Sequence, residues 1–483
     1  MNARKIFITI ARLMWTCLIF ILSGGTTVVG TPRLARANNT QMPEGCYDPG
    51  NPTSFIYFLD FNSLYPSVMS EFLLPTYGFR WLSDFEIDRL EIMTIPADSD
   101  TGYILVCDIE YPDHLHDLHD AFPMCPENIL VGEEDVSQYT KELAAECKVN
   151  LRPGKKLCLT LRTKNNYAVH YRTLQCYIRH GLVLKNIHRV ICFRQSLWLR
   201  DFMTYTTKKR RNATNEFDSL LYKSVACNVF GKTIENVKQR INVRIVTSPE
   251  TLRRLVSKPS FQAVRVFDNN LAAVQLFRNS VKLNKPIAVG YSVLELSKLK
   301  MYEFWYDVLL TEFKDYTVSL LMSDTDSFLV HIEGESVNQN SIEQILYKNR
   351  GKFDFSKLED THPLKDNANR QIPGKMKLQL PNAVIMEAVV LSSKCYSILT
   401  NRGSLTAMKG ASGSLQHEIF KDCIEREKCY VGKIKSVKNF GQTLYHVSTE
   451  RRMLSPIDTK RFYFSANQSA SYGHWRLRNA LHQ

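Results

Sequence analysis

The fold is decided by the stretch Ser-Leu-Leu-Met-Ser-Asp-Thr-Asp-Ser-Phe-Leu-Val-His-Ile, residues 319–332. Two apolar runs, residues 316–322 and 328–332, predict strands that form a hairpin with acids at its tip. Because alternate residues of an extended chain face the same side, Asp324 and Asp326 can point together. A D-x-D pair alone is weak evidence, since most such pairs lie in turns, so the interpretation depends on what the rest of the chain supplies.

A third acid follows another apolar run. Residues 54–59 predict a short strand that ends at Asp60. Carboxylates at the ends of buried strands are costly unless they hold a cation. Two-metal phosphoryl transfer uses carboxylates from separate strands, which hold metals about 3.5–4 Å apart. Asp60, Asp324 and Asp326 are therefore the candidate ligands of two Mg²⁺ cofactors if the chain catalyses phosphoryl transfer.

Between these acids lie two helical patterns. One runs from about residue 212 to residue 231, and residues 289–310 form the other. Lys223 lies near the middle of the first pattern, and Arg210 and Arg211 lie about three and a half turns before it. Cations on one helix that faces the acids would hold a nucleoside triphosphate. The alternative is a solvated basic helix face.

The net charge of +14 is concentrated in one part of the chain. Residues 151–260 hold 23 Lys and Arg against 5 Asp and Glu, whereas the other 373 residues hold 39 against 43. Aromatic residues are interleaved with these cations, which favours a folded surface over a basic tail. Such a surface predicts a polyanionic partner, and nucleic acid is the first candidate. A merely solvated basic face is the alternative.

Composition and targeting signals restrict the classes to which the protein can belong. With 483 residues, 44% hydrophobic and 23% charged, the chain predicts two to four folded units and excludes wholesale disorder. Its 12 cysteines form no C-x-x-C pair, which argues against a zinc ribbon and favours free thiols in a reducing compartment. The apolar N-terminus resembles a signal peptide, but Arg12 interrupts it before the roughly 20 residues that a membrane-spanning helix needs. We therefore expect no membrane association.

Four short motifs occur in order: Asp60-Phe-Asn-Ser-Leu-Tyr-Pro-Ser67, Lys223-Ser-Val-Ala-Cys-Asn-Val-Phe-Gly231, Ser323-Asp-Thr-Asp-Ser327 and Lys394-Cys-Tyr396. They resemble the first palm motif DxxSLYPS, the second motif KxxxNSxYG, the third motif DTDS and the primer-template motif KxY of family B DNA polymerases. Further segments resemble the protein-primed polymerases of viral and Maverick/Polinton type: Ser23-Gly24-Gly25, Ala37-Asn-Asn39, Tyr47-Asp-Pro49, Phe230–Asn236, Ser455-Pro456, Asp458–Arg461 and Tyr472-Gly-His474. The resemblance covers roughly residues 23–475.

The resemblance implies an α+β fold of the polymerase right-hand type, with an antiparallel-sheet palm, helical fingers and a C-terminal thumb. The domain boundaries that we predict are an N-terminal remnant or signal-like helix at 1–25, palm at 26–80, an insert between the first and second motifs at 81–195, fingers at 196–245, palm again at 246–400 with the third motif and KxY, and thumb at 401–483.

The implied function is that of a DNA-directed DNA polymerase, which transfers deoxynucleotides to a primer 3′-OH during replication of a virus or mobile element. The alternative is a decayed polymerase of such an element, which binds DNA without turnover. The implied partners are primer-template DNA and dNTPs, with a terminal priming protein if a protein and not a nucleic acid supplies the priming hydroxyl. The implied location is intracellular, nuclear or cytosolic. The implied site residues are catalytic, metal-binding Asp60, Asp324 and Asp326; nucleotide-binding Tyr65, Arg210, Arg211, Lys223, Asn228 and Phe230; and DNA-binding Gly24, Gly25, Ser63, Lys394 and Tyr396.

The chain also departs from the family pattern. Cys227 and Asn228 stand where relatives have Asn followed by Ser or Ala, Phe230 replaces a Tyr, and Met322 replaces an aromatic residue. Loss of the amide at position 227 removes a hydrogen-bonding group near the nucleotide. Only 59 residues precede Asp60, too few for the 3′–5′ exonuclease domain of relatives, so we expect no proofreading.

Overall fold

The computed structural model describes residues 24–278, 280–408, 415–440 and 443–480. The predicted N-terminal helix therefore lies outside the described residues, except for Gly24 and Gly25. In chain order the strands are β1 Thr27–Val29, β2 Leu34–Arg36, β3 Thr53–Phe61, β4 Leu74–Pro75, β5 Arg80–Trp81, β6 Thr101–Glu110, β7 Glu127–Val131, β8 Gly154–Cys158, β9 Lys164–His170, β10 Val183–Ser196, β11 Asn242–Val246, β12 Phe261–Asp268, β13 Leu271–Leu276, β14 Thr317–Asp324, β15 Ser327–Gly334, β16 Phe353–Asp354, β17 Met376–Leu378, β18 Ile385–Ser392, β19 Cys395–Thr400, β20 Gly403–Ala407, β21 Tyr430–Phe440, β22 Thr443–Leu454, β23 Phe462–Ser465 and β24 Gln468–Ala470.

The α-helices are α1 Leu64–Glu71, α2 Asp84–Ile87, α3 His116–His119, α4 Gln138–Glu146, α5 Tyr171–Arg179, α6 Arg200–Arg211, α7 Glu216–Thr233, α8 Pro249–Val256, α9 Ile287–Tyr302, α10 Gln339–Lys348, α11 His417–Glu425 and α12 Leu477–Ala480. Helix α9 continues as a π-helix over Glu303–Leu310, which matches the predicted helix at residues 289–310. Its residues are buried on nearly every side, as expected of a helix that is apolar all round.

A six-stranded sheet in the order β1-β14-β15-β3-β17-β16 contains all three predicted metal ligands. Its neighbouring strands pair antiparallel, except that β16 and β17 are parallel. The predicted hairpin is confirmed as β14 and β15, and the strand predicted at residues 54–59 is confirmed as part of β3.

Both faces of this sheet are covered, which explains why its strands are continuous apolar runs instead of alternating ones. On one face Phe328 and Val330 pack in the same core as Val293 of α9. On the other face Leu321 and Leu329 pack in a core with residues of the four-stranded sheet β2-β18-β19-β20.

One sequence interpretation was wrong. The helix predicted from about residue 212 to residue 231 is confirmed as α7, but Arg210 and Arg211, which were expected on the same helix as Lys223, lie at the end of α6, which packs against α7. Asn215 caps α7 by accepting a hydrogen bond from the Asp218 N–H (2.8 Å), so a new helix begins after it.

The remaining sheets are also antiparallel: β4-β10-β6-β9 with β5 on β10, β11-β13-β12, and the two-stranded pairs β7-β8, β21-β22 and β23-β24. The described residues thus form a mixed α+β fold built on antiparallel sheets. The assignment of palm, fingers and thumb and their boundaries stay predictions. Within the described part of the chain, no helix combines the length and the apolar character needed to cross a membrane.

Candidate active site

Strand pairing brings the three acids to one end of the six-stranded sheet. Asp60 lies opposite Ser327 across β3 and β15, and Asp324 ends β14. Between the two strands, Thr325 adopts a left-handed conformation (φ 66°) and its N–H donates to the Thr26 carbonyl (2.8 Å). The Phe61 N–H donates to the Asp326 carbonyl (2.8 Å), which ties the turn to the strand that carries Asp60.

The charges of these acids interact. Burial, followed by the negative charge of Asp60, raises the pKa of Asp326 to about 6, against the opposing effect of Lys377. The charge of Asp324 acts in the same direction as that of Asp60. A carboxyl group in this position is destabilised when ionised, so an added cation would stabilise it.

Two lysines already contact the acids. The Lys377 ammonium donates to Asp60 Oδ2, and Lys394 Nζ lies 3.5 Å from Asp324 Oδ1. Lys394 is one of the predicted DNA-binding residues, whereas none of the motifs contains Lys377. The alternation of lysine with apolar residues over residues 375–378 is the signal that could have predicted a strand with lysines on one face. Its pairing with β3 is visible only in the structure.

Tyr65 of α1 and Phe230 of α7 form an aromatic pair beside the acids. Their ring centroids are 4.3 Å apart with planes inclined by 25°. Burial and the negative charge of Asp326 raise the pKa of Tyr65 to about 12, so the phenol remains a hydrogen-bond donor at neutral pH. Two of the six residues predicted to bind the nucleotide are therefore brought together.

Helix α6 presents a cation to this end of the sheet, whereas Lys223 of α7 is exposed about one turn before Cys227. Arg210 is half-buried and donates to Ser63 Oγ (3.3 Å), and burial lowers its pKa. Cys227 is also half-buried, and burial raises the pKa of its thiol. The charges of Lys223 and Arg210 oppose that shift and the charge of Asp326 reinforces it, so the thiol lies among predicted nucleotide ligands and a predicted metal ligand.

Two of the predicted nucleotide ligands are placed differently. Arg211 is exposed and lines a separate cleft with Arg200, Lys208 and Arg370. Asn228 is exposed on α7, one residue after Cys227, so a rotation of about 100° separates their side chains around the helix. The structure therefore places Arg210, and not Arg211, with Ser63.

The predicted DNA-binding residues lie around the same acids. A Cβ atom at Gly25 would come within 2.6 Å of Thr325 Cγ2, so only glycine fits beside the turn between the acids. Gly24 is exposed next to it. Tyr396 packs edge-to-face on Phe58 (ring centroids 6.0 Å apart), and burial together with the charges of Asp324 and Asp60 raises its pKa.

The donor chemistry of this site fits a divalent cation such as Mg²⁺, because carboxylate oxygens are the ligands that hard cations prefer. The raised pKa of Asp326 is the observation that favours such a cation. Among the described residues, however, no three His, Cys, Asp or Glu side chains are arranged to surround one metal ion as they stand. Lys377 on Asp60 uses a carboxylate oxygen that a metal would need, whereas the exposed Lys394 lies 3.5 Å from Asp324 Oδ1.

No protein-family model and no curated protein sequence matches the chain. Among solved structures it is similar to Phi29 DNA polymerase in a ternary complex with primer-template DNA and incoming nucleotide substrates, with a TM-score of 0.50 and 13% identity over 91% of this chain. A binary complex of Phi29 DNA polymerase with primer-template DNA gives a TM-score of 0.48 and 14% identity, also over 91% of this chain. The chain spans 63% and 62% of these two structures, and at this identity the likeness concerns the fold.

Proposed function

We propose that the chain is a DNA-directed DNA polymerase of family B, of the protein-primed type, that extends a primer 3′-OH with deoxynucleotides. One observation carries the proposal. Asp60, Asp324 and Asp326 meet at one end of an antiparallel sheet, and Arg210 of the neighbouring helix α6 reaches Ser63, three residues after Asp60. The similarity of the fold to Phi29 DNA polymerase supports it.

In the proposed reaction the primer 3′-oxygen forms a bond to the α-phosphorus of a dNTP, and the bond to the bridging oxygen breaks, so that pyrophosphate leaves. Asp60, Asp324 and Asp326 would hold two Mg²⁺ ions, which would lower the pKa of the attacking hydroxyl and neutralise the leaving phosphates. Arg210 and Lys223 would bind the triphosphate through charge-assisted hydrogen bonds.

The aromatic pair would discriminate between deoxyribonucleotides and ribonucleotides. Tyr65 would lie under the deoxyribose and exclude a 2′-OH by contact, and Phe230, stacked on it, would hold the ring in place. Gly24, Gly25, Ser63, Lys394 and Tyr396 would contact primer and template, mostly at phosphates. Such binding depends on salt and hardly on sequence. A terminal protein that supplies the priming hydroxyl is the expected further partner.

A second candidate is a DNA-binding protein derived from a polymerase, without turnover. Cys227 favours it, because a half-buried thiol stands where the motif has an amide. Primer extension distinguishes the two. The wild-type chain, given primed DNA, Mg²⁺ and dNTPs, is expected to extend the primer, whereas Asp326→Asn is expected to bind the same DNA without extending it. Salt-dependent binding without extension by either protein would establish the second candidate.

A further inference from the structure

Lys377 occupies a position that the proposed function does not use. It lies directly opposite Asp60 across the antiparallel pair of β17 and β3. Opposite residues of such a pair project from the same face of the sheet, with Cβ atoms about 4.5–5.5 Å apart. The Lys377 ammonium donates to Asp60 Oδ2, and both side chains are 20% exposed. This ion pair is therefore set by strand register and largely shielded from water.

The second lysine near the acids differs in each of these respects. Lys394 lies in the turn between β18 and β19, its side chain is 60% exposed, and its Nζ is 3.5 Å from Asp324 Oδ1. Water and salt screen an exposed pair of this kind, so its effect on the site is small. Lys394 therefore serves as an internal comparison for Lys377.

The ammonium and a divalent cation need the same oxygen lone pairs. A carboxylate accepts hydrogen bonds and coordinates metals through the same two oxygens. A metal at Asp60 Oδ2 would also be repelled by a positive charge in contact with that atom. The flexible four-carbon stem of lysine allows the ammonium to leave without moving the strand.

We propose that Lys377 is a positioning residue that neutralises and orients Asp60 before a divalent cation arrives, and that the ammonium and the metal compete for this carboxylate. The inference rests on the proposed function in one respect, namely that Asp60 is a metal ligand. It adds a consequence that the proposed function lacks, because metal affinity is then limited by a residue of the chain itself.

The test is a calorimetric titration of Mn²⁺ into the full chain without DNA or nucleotide. Lys377→Met removes the charge and keeps the length of the side chain, Lys377→Arg keeps the charge, and Lys394→Met is the matched control. Lys377→Met is expected to bind Mn²⁺ about tenfold more tightly than the wild type. Lys377→Arg and Lys394→Met are expected to stay within about twofold of it.

A second readout is the thermal unfolding midpoint in EDTA and with Mn²⁺. Lys377→Met is expected to unfold several degrees below the wild type in EDTA, because three carboxylates then repel each other without a counter-ion, and to regain that difference with Mn²⁺. A Lys377→Met protein that folds only with Mn²⁺ also supports the inference.

Unchanged or weaker Mn²⁺ binding by Lys377→Met overturns the inference. An equal gain in affinity in Lys394→Met also overturns it, because any positive charge near the acids would then weaken Mn²⁺ binding. If the wild type extends primers while Lys377→Met leaves Mn²⁺ affinity unchanged, the proposed function stands and this inference fails. If neither the wild type nor Lys377→Met binds Mn²⁺, the inference fails together with the metal-binding role of the acids.

Discussion

The ring of Tyr65 stacks on the ring of Phe230, with centroids 4.3 Å apart, although the two residues lie on different helices. The contact joins the helix that follows Asp60 to the helix that carries Lys223. A ring held in this way cannot move aside easily, which is what exclusion of a 2′-OH by contact requires.

We therefore expect Tyr65→Ala to lose discrimination against ribonucleotides by about tenfold to hundredfold, because the space that the ring fills becomes available. The ratio of kcat/KM for dNTP and rNTP insertion measures this effect. Phe230→Tyr preserves the stacked pair and is the control, with a ratio close to that of the wild type. If Tyr65→Ala discriminated against ribonucleotides as well as the wild type does, Tyr65 would not contact the sugar.

Arg210 and Arg211 are neighbours in the chain and face different surroundings. Arg210 donates to Ser63 Oγ (3.3 Å), whereas Arg211 is exposed in a separate cleft. We expect Arg210→Ala to raise KM for dNTP about tenfold or more, because a charge-assisted hydrogen bond to phosphate is lost. Arg211→Ala should stay within about twofold. Steady-state primer extension by both variants measures the difference, and equal effects would contradict the assignment.

His119 provides a prediction about pH. It is buried, its Nδ1 is 2.8 Å from the Tyr111 hydroxyl, and burial lowers its pKa from 6.5 to about 4. The unfolded chain binds this proton more readily, so the stabilisation is fully present above pH 6.5 and is lost as the pH falls towards 4. Between pH 7 and pH 5 the loss in free energy of unfolding is about 2 kcal/mol for this residue.

Denaturant unfolding of the wild type and His119→Asn at pH 7 and pH 5 tests this expectation. The variant should depend less on pH than the wild type. His114→Asn is the control, since His114 is exposed on the same segment. The same pH dependence in His119→Asn and the wild type would show that His119 does not titrate as described.

Arg461 holds the C-terminal segment through buried polar contacts. It is 2% exposed, and its guanidinium donates to Asp120 Oδ2 (2.7 Å), to the Asp120 carbonyl (2.6 Å) and to Ser471 Oγ (2.7 Å). Arg461→Ala leaves these acceptors without their donor, so we expect a loss of about 3–5 kcal/mol in the free energy of unfolding.

The exposed pair of Arg402 and Glu359 is the comparison, at 2.9 Å with side chains 60% and 53% exposed. Arg402→Ala should cost less than about 1 kcal/mol. Denaturant unfolding measures both variants at pH 7. A cost below about 1 kcal/mol for Arg461→Ala would mean that other contacts hold the segment.

Much of the site could be predicted because it depends on local patterns. Strand, turn and strand around Asp324 and Asp326 follow from apolar runs that flank two acids, and the strand before Asp60 follows from a third such run. The resemblance to polymerase motifs then placed Tyr65, Phe230 and Tyr396 near those acids. In the structure the charges of the acids act on Tyr65 and Tyr396, and Phe230 stacks on Tyr65. Domain boundaries, metals and catalytic activity stay predictions.

From the sequence we could predict the strands that end at Asp60 and flank Asp324 and Asp326, the helix around Lys223 and the helix at residues 289–310, because these elements depend on residues close together in the chain. Only the tertiary structure decided that Lys377 contacts Asp60, since 317 positions separate them and strand register alone makes them neighbours. It also decided that Arg210 and not Arg211 contacts Ser63, because the chain ends one helix at Arg211 and starts another at Glu216. Long-range pairing depends on how whole elements pack, and no local pattern contains that information.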